Sequence, residues 1–596
     1  MLNVVHVTHE AIYKVGGIGA VLEGLITSRH FAEAVNRNIL LCPLFSREGG
    51  VDTRLGPDGE VLYSSVDHRL NHPMARAFQE IQQRYNVDIV YGRRLMRDPL
   101  TGIEQRPEVV LIDIGHMAAH PLNIFKADLF NKFGIVSSRY EHSWDFEQYV
   151  RLAEPGLAVV RALGATTNGA SCVIMAHEFM GMPTALAAKL HTDWGIKTAF
   201  YAHEVSPVRK VVEEHAGHDT MFYNVLRKCA EKGLHIYDVF GDQFGYFRHA
   251  LVEASRHLDV TLAVGDYVVK ELRFLSPKMA KADIRLTYNG IPAHPITYDE
   301  AAASKQRLQE YVGMLLGDRP DYIFTHVTRM VTSKGLWRDL LAMKHLERQL
   351  RRSGKTAALI VLSTELGHPR SRPDILHMER WWDWPVAHRE VTPDLTSGEA
   401  LFYAGVQAVN ARMRNCKVLY LNQFGFDHER CGDRMPEDMD FWDIRKGSDV
   451  EFGQSIYEPF GIAQVEALSF GSICVMSSVC GCAFFAARVA GPQGSPNLII
   501  PDYTSYRADP DTIAAYMTLD RDTRGAFDEQ VAEGVAHEIV KRLPTTPQEK
   551  AAFVSRGYDL ARQMSWDVIA QDYVLPALRD ITAAGGKPAQ QLCAAT

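Results

Sequence analysis

The sequence predicts an α/β protein made of two doubly wound, Rossmann-like domains, and three observations predict it. Short Val-, Ile- and Leu-rich runs alternate with longer amphipathic ones along the chain, the pattern of parallel strands joined by crossover helices. The alternation breaks once, at the polar stretch from Ala293 to Pro320, and then resumes. With 596 residues, 46% hydrophobic and 23% charged, the chain is too long for one core and too apolar to be disordered.

In the first half, strands are expected at 2–8 (LNVVHVT), 38–43 (NILLCP), 109–114 (VVLIDI), 172–177 (CVIMAH), 198–203 (TAFYAH) and 260–265 (VTLAVG). Helical spacing of apolar residues fills the gaps, at 146–163 despite Pro155 and at 246–258. The sheet should therefore be covered on both faces. After Asn289-Gly290 a second series is expected, at 322–328 (YIFTHVT), 358–363 (ALIVLS), 417–422 (KVLYLN), 472–477 (SICVMS) and 497–501 (NLIIP). Two charged stretches, 364–395 and 423–453, exceed ordinary loop length and are read as insertions. The expected domains are 1–290 and 291–565, with 566–596 supplying a helix that crosses back to the first domain, then a frayed tail.

The 64 Lys and Arg against 72 Asp and Glu leave a net charge of −8, which is the wrong sign for a nucleic-acid binder. The nine cysteines are scattered apart from Cys480 and Cys482, so neither a zinc site nor a disulfide framework can be read from them. No basic leader and no apolar run of membrane-spanning length is present, so a cytoplasmic location without a membrane partner is expected.

Three places carry chemistry. Lys14-Val15-Gly16-Gly17-Ile18-Gly19 turns from the first strand into an apolar-periodic helix, where backbone amides can approach an anion. It fails the dinucleotide fingerprint, because Leu22 stands at the last required position, and the P-loop pattern, because its lysine precedes the glycines. A tight turn without a ligand would use the same residues. Arg329 and Lys334-Gly335 follow the strand at 322–328, two permanent cations suited to a diphosphate or simply to a solvated loop. Glu458 and Glu466 bracket Pro459-Phe460-Gly461-Ile462, an acidic loop leading into a helix with apolar Phe460, Ile462, Val465 and Leu468. Asp438-Met439-Asp440 is a literal Asp-x-Asp near His428 and Cys431, but it sits in a polar insertion and reads as a solvated acidic loop.

In this order, the three sites resemble those of retaining GT-B glycosyltransferases, most closely the glycogen and starch synthases. The family's Lys-x-Gly-Gly turn stands as Lys14, Gly16 and Gly17; its Arg and Lys-Gly as Arg329, Lys334 and Gly335; its Glu-x7-Glu as Glu458 and Glu466. Met175-Ala-His177-Glu178, Tyr201-Ala-His203-Glu204 and Asn289-Gly290-Ile291 are similar to further family segments. The chain departs from the pattern at Ala20, where many synthases have Asp, and at Phe179-Met180, where an aromatic-rich pattern is usual.

The resemblance implies two domains facing across a cleft that closes on the donor. It also implies transfer of glucose, with retention, from ADP- or UDP-glucose to the non-reducing end of an α-1,4-glucan, without a cofactor or metal. His203, Arg329, Lys334 and Glu458 would be catalytic. Lys14, Gly16, Gly17, Phe460, Gly461, Ile462 and Glu466 would hold the donor, with His177 and Glu178 on the acceptor side. Left open are the donor base, homo-oligomerisation, synthesis of a small glucoside or surface polysaccharide, and a non-catalytic glucan-binding role.

Overall fold

The structure is a computed structural model that describes residues 2–13, 16–56, 58–166, 170–214, 221–505 and 510–583. The chain divides into two compact units, one of Met1–Arg209, Lys232–Gly290 and Trp566–Thr596, the other of Lys210–Glu231 and Ile291–Ser565.

The first unit contains β1 (Leu2–Val7), β2 (Val35–Pro43), β3 (Gly59–Ser64), β4 (Asp88–Arg94), a ribbon of β5 (Met96–Arg97) with β6 (Glu104–Gln105), β7 (Glu108–Asp113), β8 (Ser171–His177), β9 (Lys197–Ala202), β10 (Val260–Ala263) and β11 (Ile284–Leu286). Its large sheet runs β11-β10-β9-β8-β1-β2-β7-β4-β3. The strands from β11 to β7 are parallel, whereas β4 is antiparallel to both β7 and β3. Counted in chain order from β7, the parallel strands lie third, second, first, fourth, fifth, sixth, seventh, which is the Rossmann order extended by one strand, with its switch point between β1 and β8. β1 is buried along its whole length and β8 at all but its first residue, as strands covered on both faces must be. Gly181, in the helix Glu178–Leu190, lets that helix lie directly on β8, since a Cβ there would stand 2.5 Å from Ala176 Cα.

β3, β4 and β11 were not among the expected strands. β4 ends in Gly-Arg-Arg at the antiparallel edge and β11 has only three residues, so neither shows an extended apolar run. Residues 210–231, expected in the first domain, cluster with the second unit. Ser333 Oγ donates to Glu213 Oε1 (2.8 Å) and Arg227 Nη2 to the Tyr516 hydroxyl (3.4 Å).

The closing segment begins with the helix Trp566–Ile569, continues through the π-helical turn Ala570–Val574 and ends in the helix Leu575–Thr582. The Trp566 indole lies over Gly24, where an added Cβ would come within 2.1 Å of Nε1. Gly24→Ala should therefore lower stability by about 1–3 kcal/mol through overpacking, although alanine favours an isolated helix by ~1 kcal/mol. A thermal melt showing an unchanged or raised Tm would refute this packing.

The second unit contains β12 (Tyr322–Val327), β13 (Ala357–Leu362), β14 (Cys416–Leu421), β15 (Val450–Gly453), β16 (Ile473–Met476) and β17 (Leu498–Ile499), in the order β14-β13-β12-β15-β16-β17 and all parallel. This is again the Rossmann order, with the switch point between β12 and β15. Alternate residues of β12 enter opposite cores. Phe324 packs with Leu340, Leu359 and Ile539, while Ile323 packs with Leu308, Tyr311 and Ile360. The expected fold class, two Rossmann-like doubly wound units, is what the strand orders show.

The stretch 364–395 carries the helix Arg372–Trp382 and a small core of Ile375, Met378 and Trp384. The stretch 423–453 needs correction as an insertion, because its end is β15, the strand next to β12 at the centre of the sheet. Glu451 disguised it. That residue is fully buried within the strand, and its charge is met by Arg445 (3.1 Å) and by a bond from the Thr325 hydroxyl. Among the described residues, no helix is long and apolar enough to cross a membrane.

Candidate active site

In the second unit the site is built at the switch point, where a doubly wound sheet opens a crevice. The loop after β12 carries Arg329, the short 3-10 turn Thr332–Lys334 and Gly335; the loop after β15 carries Glu458 to Gly461. Ile456 N–H and Tyr457 N–H both donate to Ser333 O, at 2.9 and 3.2 Å. This backbone stitch brings Lys334 Nζ onto Glu458 Oε2 across 124 positions of sequence. Gln464 Nε2 donates to Ser455 Oγ (2.8 Å) and to the same Glu458 oxygen (3.3 Å). Gly335 has φ +63°, and a Cβ there would meet Gln454 O at 2.6 Å, so only glycine allows the turn and the close approach together.

Beneath the loops lies a buried polar frame. His326 Nδ1 bonds to Asp339, whose other oxygen accepts from Gln454 Nε2 (2.9 Å), and the Tyr503 hydroxyl donates to Gln454 Oε1 (2.6 Å). Arg338, 1% exposed, stacks 3.7 Å from the Tyr503 ring centre and donates to Gln454 O (3.0 Å). Rigid support of this kind holds the two loops in one geometry.

Arg329 is different. It is exposed, and among the described residues no carboxylate pairs with it. Phe460 is buried, and its carbonyl accepts from Cys482 N–H (2.8 Å), while Glu458 O accepts from Gly481 N–H (3.2 Å). Gly461 takes φ +93° and starts the five-residue helix Ile462–Glu466. Ile462, expected to be buried, is only partly so, because the helix turns that side toward the loop opening while Val465 and Leu468 enter the core. Glu466 is paired with the buried Arg445 (2.8 Å), which ties it to Glu451 on β15. The Asp-x-Asp pair has a local task instead: Asp440 caps the helix Phe441–Lys446 by accepting from Trp442 N–H (2.8 Å).

In the first unit, Lys14 lies outside the described residues. Gly16 precedes, and Gly17 begins, the helix Gly17–Thr27. Its first turn already holds an anion of the chain itself: Glu10, 2% exposed, accepts from Gly19 N–H (2.7 Å). Sequence reasoning missed Glu10, although a carboxylate shortly before a glycine-rich helix start is a recognisable signal.

His177 and Glu178 need correction as acceptor contacts. His177 is fully buried and Glu178 nearly so, and both hold His203 instead. His177 Nδ1 lies 2.9 Å from His203 Nε2, with the rings stacked at 9°. Glu178 Oε1 accepts from the backbone N–H groups of His203 and Glu204 (2.7 Å to the latter). Glu178 takes φ +61°, a strained conformation for a residue with a side chain, of the sort found where a site over-determines the backbone. Burial, reinforced by the nearby Glu204 charge, pushes its carboxyl well above the usual carboxylate range.

Behind His177 stands His6, with Nδ1 3.0 Å from His177 Nε2, and Nε2 3.2 Å from Asn38 Oδ1. Burial drives His6 down to about 4 and His203 to about 3, and drives His177 well below its ordinary value. The unfolded chain takes up these protons below about pH 6.5, while the folded chain refuses them until near 4 and 3. The stability they contribute is thus complete above pH ~6.5 and is lost on acidification, by at most about 1.4 kcal/mol per pH unit for each histidine. In urea melts stepped from pH 7 to 4, His6→Gln should show a shallower fall than the parent. Parallel curves would mean that His6 is not held neutral.

No family model and no curated protein matches the sequence. Solved structures that match include an Escherichia coli structure described as trehalose-6-phosphate bound with UDP-2-fluoro glucose, 11% identical, covering 98% of this chain and 100% of that one with a TM-score of 0.49. Another is a UDP-forming α,α-trehalose-phosphate synthase from Burkholderia xenovorans in complex with glucose-6-phosphate, 12% identical, covering 98% and 100%, TM-score 0.49. A third is the catalytic domain of starch synthase IV from Arabidopsis thaliana bound to ADP and acarbose, 14% identical, covering 91% and 99%, TM-score 0.43.

Proposed function

We propose that the chain is a retaining GT-B glycosyltransferase that moves glucose from ADP- or UDP-glucose to the non-reducing end of an α-1,4-glucan. The observation that carries this reading is the second unit's switch point. There the Lys334–Glu458 pair and the exposed Arg329, which pairs with no carboxylate among the described residues, lie on the two loops that flank the crevice. Departure of a nucleoside diphosphate builds negative charge, which Arg329 and Lys334 would neutralise while Glu458 orients the sugar through its hydroxyls. Phe460, Gly461 and Ile462 would border the donor, and the free oxygen of Glu466 would take a ribose hydroxyl, its other oxygen being anchored by Arg445. In the first unit His203 would face the sugar, with Lys14, Gly16 and Gly17 near the phosphates.

Product analysis after incubation with ADP-glucose, UDP-glucose and oligoglucan primers tests the reading. Elongated primers would support it. A soluble disaccharide or its phosphate would correct the acceptor alone, and no turnover of either nucleotide would refute it.

The fixed cations supply the charge that a metal ion otherwise would, and Asp440 serves as a helix cap that asparagine replaces well. Turnover is therefore expected to persist in EDTA and in the double variant Asp438→Asn, Asp440→Asn. Loss on chelation with recovery on adding manganese would overturn the metal-independent scheme.

A further inference from the structure

Four adjacent strands each contribute one polar side chain to a continuous row: His203 just after β9, His177 on β8, His6 on β1 and Asn38 on β2. The spacings are 2.9, 3.0 and 3.2 Å. Such a row has a direction, because each neutral imidazole donates from one nitrogen and accepts at the other. Asn38 Oδ1 can only accept, so His6 carries its proton on Nε2 and accepts at Nδ1 from His177 Nε2–H. His177 Nδ1 then accepts from His203 Nε2–H, which leaves the lone pair of His203 on Nδ1.

The far end agrees. His203 Nδ1 is shielded from water and has no partner among the described residues. An unmet acceptor is the less costly of the two states, as orphaned buried N–H groups are rarer than under-used acceptors. Besides His177 and Glu178, the charged surroundings include His9, which stands by Glu10 (3.5 Å), and the adjoining Glu204, paired with Arg209 (2.8 Å).

We propose that Asn38, His6 and His177 are positioning residues that lock His203 as the neutral Nε2–H tautomer, with Nδ1 left as a bare lone pair. The tautomer follows from the row itself and does not rest on the function proposed above. Glu178 completes the device by gripping the His203 backbone from the other side.

The test uses the full chain labelled with 15N in its histidine rings. Two-bond proton–nitrogen correlation spectra show which ring nitrogen carries the proton, and His203→Gln identifies the His203 signals. The expected result is protonated Nε2 and bare Nδ1 in the parent, kept in Asn38→Asp, which retains an accepting oxygen, and mixed or reversed in Asn38→Leu. Protonated Nδ1 in the parent, or a tautomer indifferent to Asn38→Leu in folded protein, overturns the lock.

Discussion

Glu458→Gln is expected to lower sugar transfer by about a hundredfold or more while the chain still folds, the scale of removing one preorganised charge contact. The amide keeps the shape and leaves Lys334 and Gln464 an oxygen or a dipole to meet, so the backbone stitch through Ser333 survives. What disappears is the carboxylate that balances Lys334 and is proposed to accept sugar hydroxyls. Lys334→Ala should be as damaging to turnover and worse for stability. With the partners only 13% and 11% exposed, it leaves a largely buried carboxylate unpaired, a loss of up to about 3–5 kcal/mol for a fully buried pair. Steady-state assays with the preferred nucleotide sugar decide the matter: activity of Glu458→Gln within about threefold of the parent would remove Glu458 from the mechanism.

Arg329→Ala is the complementary experiment, because stability and activity should separate. The side chain is exposed and pairs with no carboxylate among the described residues, so its removal should change unfolding free energy by no more than about 0.5 kcal/mol. Transfer should nevertheless fall about a hundredfold, since the permanent cation proposed to stand beside the leaving diphosphate is lost. A variant with parental kcat and KM would show that Arg329 is a solvated loop residue, and a large drop in Tm would show a structural role that its exposure denies.

Much of the architecture can be read before folding, for reasons that particular residues make clear. Strands such as Leu359–Leu362 are covered on both faces and are therefore apolar without interruption, which periodicity detects directly. β15 escaped because Glu451 makes a central strand look polar, and Arg445, packed against it from the helix Phe441–Lys446, together with donors on β12 makes that burial tolerable. β4, next to the edge strand β3, escaped because both of its neighbours run antiparallel to it and its end is charged.

The candidate site divides in the same way. Residue types and order alone single out Arg329, Lys334, Glu458 and Glu466, because permanent cations and carboxylates at the carboxyl ends of strands are local features, whereas His203 stands out only through the family resemblance. Which of them touch is decided by strand order: β12 and β15 become neighbours although well over a hundred residues separate them, and so Lys334 meets Glu458. The same pairing of distant strands turns His177 and Glu178 from apparent sugar contacts into supports for His203, and draws His6 and Asn38, unremarkable in the sequence, into one row behind it. Chain chemistry set the list of reactive groups, whereas burial and cross-strand adjacency, which no local pattern encodes, set their partners, their protonation and the direction of their hydrogen bonds.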